Sequence, residues 1–249
     1  MKKTIALSIV LFGLLSISCE QEEITINSDE KTGNSSFSEK LNSIYTTNFS
    51  GQATFYTPTG LGNCSEEYPT SKMYGAMNKP QYNNSNACGS YVEITRTGTT
   101  KKVIVKILDQ CPECPQGNID LSKEAFLKLG TESEGIIPIT WKYIKQLGEA
   151  KISVRVKTGS SRYYFSLQIL NHRYMVKKVE LKNKNGVYVV ANRQSYNYFL
   201  DSDGVFDGSG PDGPYDVRIT DVNDNVVTAK IGLNVGVIKA TNVQFPITN

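Results

Sequence analysis

The sequence predicts a mainly β protein made of two consecutive β modules, and three observations predict it. Short runs rich in β-branched and aromatic residues recur from Gly51 to Leu233, separated by Gly, Asn, Asp and Pro turn signals. Helical periodicity is confined to one brief stretch, Ser122–Gly130. The charge balance shifts between Gly148 and Ile152: residues 50–150 carry ten basic and ten acidic side chains, residues 151–249 thirteen and eight. At 249 residues the chain has room for both modules and an export leader.

The N-terminus supplies the leader. Lys2 and Lys3 form a basic start and an apolar run follows from Ile5 to Ile17, too short and too early for a membrane span, so residues 1–19 read as a secretory signal. The run ends at Cys19 after the small Ser18, with Leu14 and Leu15 upstream, which resembles a bacterial lipoprotein signal whose cysteine takes the lipid. Ser16 stands where such signals usually carry leucine, and a plain cleaved signal is the alternative. The acidic Glu20, Glu22 and Glu23 resemble surface-export signals of some Gram-negative lipoproteins. Residues 20–49 are polar, rich in Ser and Asn, with two basic and six acidic groups. They bury too little to fold alone and read as a disordered tether.

The first module, residues 50–147, contains the strand-like runs GQATFYT, CGSYVEITR, KKVIVKILD and IPITWKYIKQ. In the last of these Ile139 and Trp141 share one face, which makes Trp141 a core residue. Ser122 is placed to cap a helix to Gly130, with Phe126, Leu127 and Leu129 facing in and Lys123 and Glu124 out. Between strand and helix lies DQCPECPQGNID, which sets Asp109 and Asp120 at the two ends of one stiff loop. Two carboxylates aimed at one place suit acid–base work on a sugar bond.

With Cys19 set aside, Cys64, Cys88, Cys111 and Cys114 remain, an even number that predicts two disulfides in an exported protein. CGSYVEI and KVIVKILD flank the polar turn RTGTTK as a hairpin, which sets Cys88 opposite Gln110 or Cys111. That register predicts Cys88–Cys111 and leaves Cys64–Cys114. A redox or metal role for the Cys111–Cys114 pair is disfavoured: no second metal-spaced pair exists, and the only histidine, His172, is distant in sequence.

The second module, residues 148–249, alternates ISVRVKT, RYYFSLQIL, MVKKVELKN, VYVVANR, YDVRITDV and VVTAKIGL with the turns NKNG, DSDG and GSGPDG. Short regular strands of this kind predict a β-sandwich of about a hundred residues. Its basic surplus, within a net charge of +3, suits an acidic polymer or wall surface. No Gly-rich phosphate loop and no metal cluster appears, so the sequence supports no cofactor, no metal and no nucleic-acid partner.

These motifs resemble a known family. GQATFYT, Cys64, ACGSYVEI, the Asp109 loop and GNIDLSKEAF occur in the order found in the first domain of expansins, and VKTGSSRYYFSLQILNHRYMVKKVEL, QSYNYF and YDVRITDV resemble their second, cellulose-binding domain. The resemblance implies a six-stranded double-psi β-barrel, related to family 45 endoglucanases, followed by an immunoglobulin-like β-sandwich. It implies groove roles for Thr54, Asp109 and Asp120, the last matching the general acid of the endoglucanases. Cys111 stands where bacterial expansins often carry a groove tyrosine, with Tyr56 as candidate replacement. Tyr163, Tyr164 and Tyr196 match the aromatic platform that stacks on cellulose, and Lys157 a flanking lysine. Adjacent Tyr163 and Tyr164 would point to opposite faces of a regular strand, so a shared face needs a twist or bulge. His172 reads as a buried structural residue.

The relatives that hydrolyse cellulose place their base aspartate just after the first barrel strand. Here TFYTPTGLGN offers no carboxylate before Glu66, and an inverting hydrolase needs its base roughly 6.5–9.5 Å from the acid. The expected function is therefore non-hydrolytic loosening of cellulose or related β-glucan, peptidoglycan or pectin, by a monomer held at the outer membrane or cell surface by a lipid, or otherwise secreted. The alternatives are a lytic enzyme using Asp120 as acid, either endoglucanase or lytic transglycosylase, and a carbohydrate-binding lipoprotein with an inert barrel.

Overall fold

The computed structural model describes residues 43–146, 148–202, 206, 208 and 213–247; Cys19, the leader, the tether to residue 42 and parts of the DSDG and GSGPDG turns lie outside them. Residues 43–49, read above as tether, are folded. Ser43–Tyr45 form a 3-10 turn, and the Tyr45 hydroxyl accepts the Met175 N–H at 2.9 Å while its ring meets Tyr143 and Tyr174 edge-on.

Six strands close a barrel: β1 (Phe49–Tyr56), β2 (Tyr74–Asn78), β3 (Tyr91–Arg96), β4 (Lys102–Cys111), β5 (Ile119–Ser122) and β6 (Ile137–Ile144), in the order β1-β5-β2-β4-β3-β6. The β1/β5 and β2/β4 pairs are parallel and the other four antiparallel. Ile137, Ile139, Trp141 and Tyr143 all lie on the buried face of β6, and the Trp141 indole donates to Gly117 O at 2.7 Å. Gly51 of β1 is required at this contact, because a Cβ there would come 2.3 Å from Gly117 O.

The sequence reading missed β2 and the helical turn after it, α1 (Lys79–Tyr82). YGAMN is buried on both faces and so shows no alternation to detect. The other helix is α2 (Lys123–Phe126), capped as expected by Ser122, whose hydroxyl accepts the Ala125 N–H. It is shorter than the Ser122–Gly130 helix expected: turns replace it after Phe126, and Leu127 points to solvent, 46% exposed, while Phe126 and Leu129 are buried. Asp120 is correspondingly a strand residue of β5 rather than the end of a loop.

The disulfide pairing differs from the expectation. The bonds are Cys64–Cys88 and Cys111–Cys114, in place of Cys88–Cys111 and Cys64–Cys114. The hairpin register is Tyr91 opposite Lys106, but β3 begins only at Tyr91, and the turn bond from Ser90 N to Ala87 O carries Cys88 off the ladder into the core. There it meets Cys64, whose N–H is held by Leu108 O. Cys111 runs on beside Asn78 of β2, and a turn returns Cys114 to it.

The second half stacks two sheets. One has the order β10-β9-β13-β14, from β9 (Val176–Lys182), β10 (Tyr188–Val190), β13 (Tyr215–Asp221) and β14 (Val226–Ile231). The other is β11-β12-β8-β7-β15, from β7 (Ser153–Val156), β8 (Ser166–Leu170), β11 (Asn192–Arg193), β12 (Phe199–Leu200) and β15 (Ile238–Ala240). Every residue of β8 is buried: Leu167 and Ile169 belong to the apolar core, while Gln168 on the opposite face donates to the barrel at Cys64 O, 2.7 Å away. A sheet covered on both faces is what packs the two halves together. Among the described residues no helix is long and apolar enough to cross a membrane.

Loop-closure entropy separates the two disulfides. Replacing Cys64 and Cys88, 24 residues apart, by alanine is expected to cost about 3 kcal/mol in urea unfolding, and the Cys111/Cys114 pair, three apart, about 1–2 kcal/mol.

Candidate functional site

Cross-strand register brings the expected groove residues together. Thr54 of β1 sits beside Asp120 of β5, Asp120 beside Ala76 of β2, and Ala76 beside Asp109 of β4, so four neighbouring strands present Thr54, Asp120, Ala76 and Asp109 as one row. A bulge between Gly75 and Ala76 sets the last step of that alignment. With small Ala76 between them, the two aspartates stand two strand spacings apart, roughly 9–10 Å along the sheet.

The two carboxylates have different surroundings. The Thr54 hydroxyl donates to Asp120 Oδ1 at 2.6 Å. Burial raises the Asp120 pKa above the ordinary aspartate value, the Thr54 bond opposes that rise, and the nearby Asp109 charge adds to it. Asp109 Oδ1 accepts two backbone N–H groups, from Asn63 at 2.6 Å and Gln110 at 2.8 Å. Its Oδ2 lies 3.5 Å from the Tyr56 hydroxyl. Asp120 thus has one hydroxyl partner in a partly desolvated place, whereas Asp109 is fixed by backbone donors.

Tyr56 and Asn63 are site residues for which sequence reasoning gave little. Tyr56 lies two residues after Thr54 on β1, hence on the same face, so each hydroxyl reaches one carboxylate. That period was available as a signal. Asn63 carried none, since only the fold brings residue 63 to residue 109. Burial pushes the Tyr56 hydroxyl pKa far up, with Tyr68 and Asp109 adding to the rise, so it stays a proton donor. Glu66, the first carboxylate after β1, forms a buried ion pair with Lys106 at 2.5 Å.

The predicted platform residues occupy two turns. Ser161 and Tyr164 close a four-residue turn through two backbone bonds, so Tyr163 and Tyr164 do not sit on a regular strand. Both are exposed, by 66% and 41%, which removes the objection from strand alternation. Arg162 lies against the Tyr163 ring, and Gly208 packs so closely on it that a Cβ there would collide. Lys157, half-buried, is at the same end, its N–H bonded to Ser166 O at 2.8 Å. Tyr196 is half-buried in the turn before β12, its ring 5.9 Å from that of Tyr198. Because β12 runs antiparallel to β8 with Phe199 opposite Leu167, the two turns lie at opposite ends of that pair. The five residues of β8 lie between them, roughly 17 Å of strand.

His172 is buried, its Nδ1 2.9 Å from Tyr174 O. Burial, with Lys106 adding to it, drives its pKa down to about 4. Gly89, at φ +75°, leaves room for the ring, since a Cβ would stand 2.7 Å from Nε2. Among the described residues no group of three or more His, Cys, Asp and Glu side chains is gathered for a metal ion.

The family described as lytic transglycolase matches residues 48–141. Expansin-YoaJ of Bacillus subtilis is 30% identical over 224 residues, covering 84% of this chain and 92% of that protein. The crystal structure of the Clavibacter michiganensis expansin superposes with a TM-score of 0.73 at 31% identity, over 82% of this chain and all of that one. A point mutant of the same expansin, solved in complex with cellohexaose, matches with the same score, identity and coverage.

The opposed influences on Asp120 are separable by carboxyl-carbon NMR titration. Thr54→Val is expected to move the Asp120 midpoint further up, and Asp109→Asn to move it down. A raised carboxyl pKa means that ionisation opposes folding. Asp120→Asn should therefore gain stability relative to wild type as pH rises from the ordinary aspartate range through the raised value.

Proposed function

The chain belongs to the expansin family, and from that membership we propose that it binds cellulose or a related β-glucan and loosens it without hydrolysis. The observation that carries this reading is the contrast between the two carboxylates. Asp120 lies under the Thr54 hydroxyl with its pKa raised by burial, while Asp109 Oδ1 is held by two backbone N–H groups and its Oδ2 faces the Tyr56 hydroxyl, an orienting arrangement rather than that of a base for water. Glu66, the first carboxylate after β1, is paired with Lys106. Protonating a glycosidic oxygen with no base to activate water leaves the bond intact.

In this reading residues 50–147 supply the groove and residues 148–249 the grip. Tyr163 and Tyr164 offer exposed rings to sugar faces, Tyr196 extends the contact surface, and Lys157 can donate to sugar hydroxyls. Tyrosine presents less stacking area than tryptophan, so the grip is of moderate strength. The cellohexaose complex of the related expansin supports a β-glucan ligand. Export, with Cys19 as the lipidated residue at the outer membrane or cell surface, is part of the proposal, and that placement suits a protein acting on wall polymer from the surface of the cell that makes it.

A second reading has a specific observation behind it. The lytic transglycolase match over the barrel points to peptidoglycan, and a transglycosylase uses an internal sugar hydroxyl in place of external water, with Asp120, once it has protonated the leaving oxygen, free to take the hydroxyl proton, so that no second carboxylate is needed. Pectin is the further candidate on the strength of the basic second half.

The deciding experiment pairs pull-down on crystalline cellulose with assays of soluble product from cellulose and from peptidoglycan. Tyr163→Ala with Tyr164→Ala is expected to weaken cellulose binding by about tenfold or more, with no soluble sugar released by the wild type. Release from cellulose that Asp120→Asn abolishes would make the protein an endoglucanase, and anhydro-sugar release from peptidoglycan would establish the transglycosylase.

A further inference from the structure

A strip of four residues, Asn63–Glu66, joins the groove to the second half of the molecule. The Asn63 N–H holds Asp109, and its side-chain amide donates to Ser195 O at 3.1 Å, the Tyr82 hydroxyl at 2.9 Å and Gln110 Oε1 at 3.3 Å. Tyr82, buried beneath it, also donates to Ser195 O at 2.8 Å. Cys64 O accepts from Gln168 and Asn197, and the Ser65 hydroxyl donates to Tyr196 O at 3.0 Å. Arg155 also donates to Ser65 O. Cys64 is pinned to Cys88, which fixes the strip from the barrel side.

Asn63 therefore touches both functional regions: its backbone holds a groove carboxylate, and its side chain holds the residue immediately before Tyr196. We propose that Asn63 is a positioning residue that keeps the Asp109 groove and the Tyr196 end of the platform in one register, so that the protein selects extended glycan chains over short ones. The inference rests on the glycan-binding reading and adds to it a length preference and the residue that sets it.

The physical argument is one of effective concentration. A chain long enough to touch platform and groove gains from the second contact only if the two are held at a spacing it can bridge. Loosening that spacing removes the gain for long chains, and a short chain gains nothing from it in the first place. Alanine at position 63 deletes the amide contacts and keeps the backbone bond to Asp109. Aspartate there is more severe, since it turns an acceptor toward Ser195 O and Gln110 Oε1 and adds a charge beside Asp109.

The test measures binding of cellotriose and cellohexaose to the full chain by calorimetry, with unfolding temperature recorded for each variant. Wild type is expected to favour cellohexaose. In Asn63→Ala the ratio of the cellohexaose to the cellotriose affinity should fall by about fivefold or more, and Asn63→Asp should lower it further. A ratio unchanged in both variants, or an equal loss for both sugars, overturns the inference while the glycan reading stands. Wild type that binds neither sugar overturns the glycan reading, and this inference with it.

Discussion

In a closed barrel each strand is hydrogen-bonded on both sides, so a one-residue slip in any pair would turn a whole strand inside out. That register is the constraint on which the groove depends. The parallel β1/β5 pairing puts Thr54 beside Asp120, and two further pairings carry the row through Ala76 to Asp109. The ladder places these side chains, and the turn at Asn63 then orients the Asp109 carboxylate. Strand-borne groups are held more rigidly than loop-borne ones, and the modest separation in chemistry between the two aspartates follows from that rigidity. One is left partly desolvated with a single hydroxyl partner, and the other is given two backbone donors.

The same economy governs the junction of the two halves. It is polar, and Arg193 and the buried Glu66 and Asn197 find partners in it. The Arg193 guanidinium, pushed down to about pKa 10 by burial, donates to Ser85 O and Val176 O and lies 4.5 Å from the Phe199 ring. Glu66 pairs with Lys106, and Asn197 reaches Cys64 O. Each such group left unpaired would cost about 1–3 kcal/mol, so the junction tolerates few alternative arrangements. A junction of this kind holds two halves at a fixed spacing, which a polymer-binding surface spanning both requires.

Much of the fold was legible because it is written in short-range pattern. The alternation IPITWKYI announced β6 with Trp141 on the core face, and Ser122 announced its own cap. The second half was read correctly as β-rich, although RYYFSLQIL contains a turn before β8 begins at Ser166. Failures came where local pattern carries no information. YGAMN, buried on both sides, has no alternation, and Leu127 follows a helix that stops one turn earlier than its apolar spacing suggests. The cysteine pairing failed for a related reason: the hairpin register was extended past Tyr91, where the chain leaves the ladder.

The sequence by itself determined the chemistry available: which residues are carboxylates, hydroxyls and aromatics, that β-rich runs continue through both halves, and that the chain resembles expansins. Periodicity and turn residues act over a few positions, so they suffice for strands, caps and the order of modules. Only the tertiary structure decided that Asp120 and Asp109 differ in their surroundings, that Cys64 meets Cys88, and that Asn63 lies between Asp109 and Ser195. Those relations depend on burial and on contacts between residues 24 to 132 positions apart, which barrel closure and sheet packing create and no local pattern encodes.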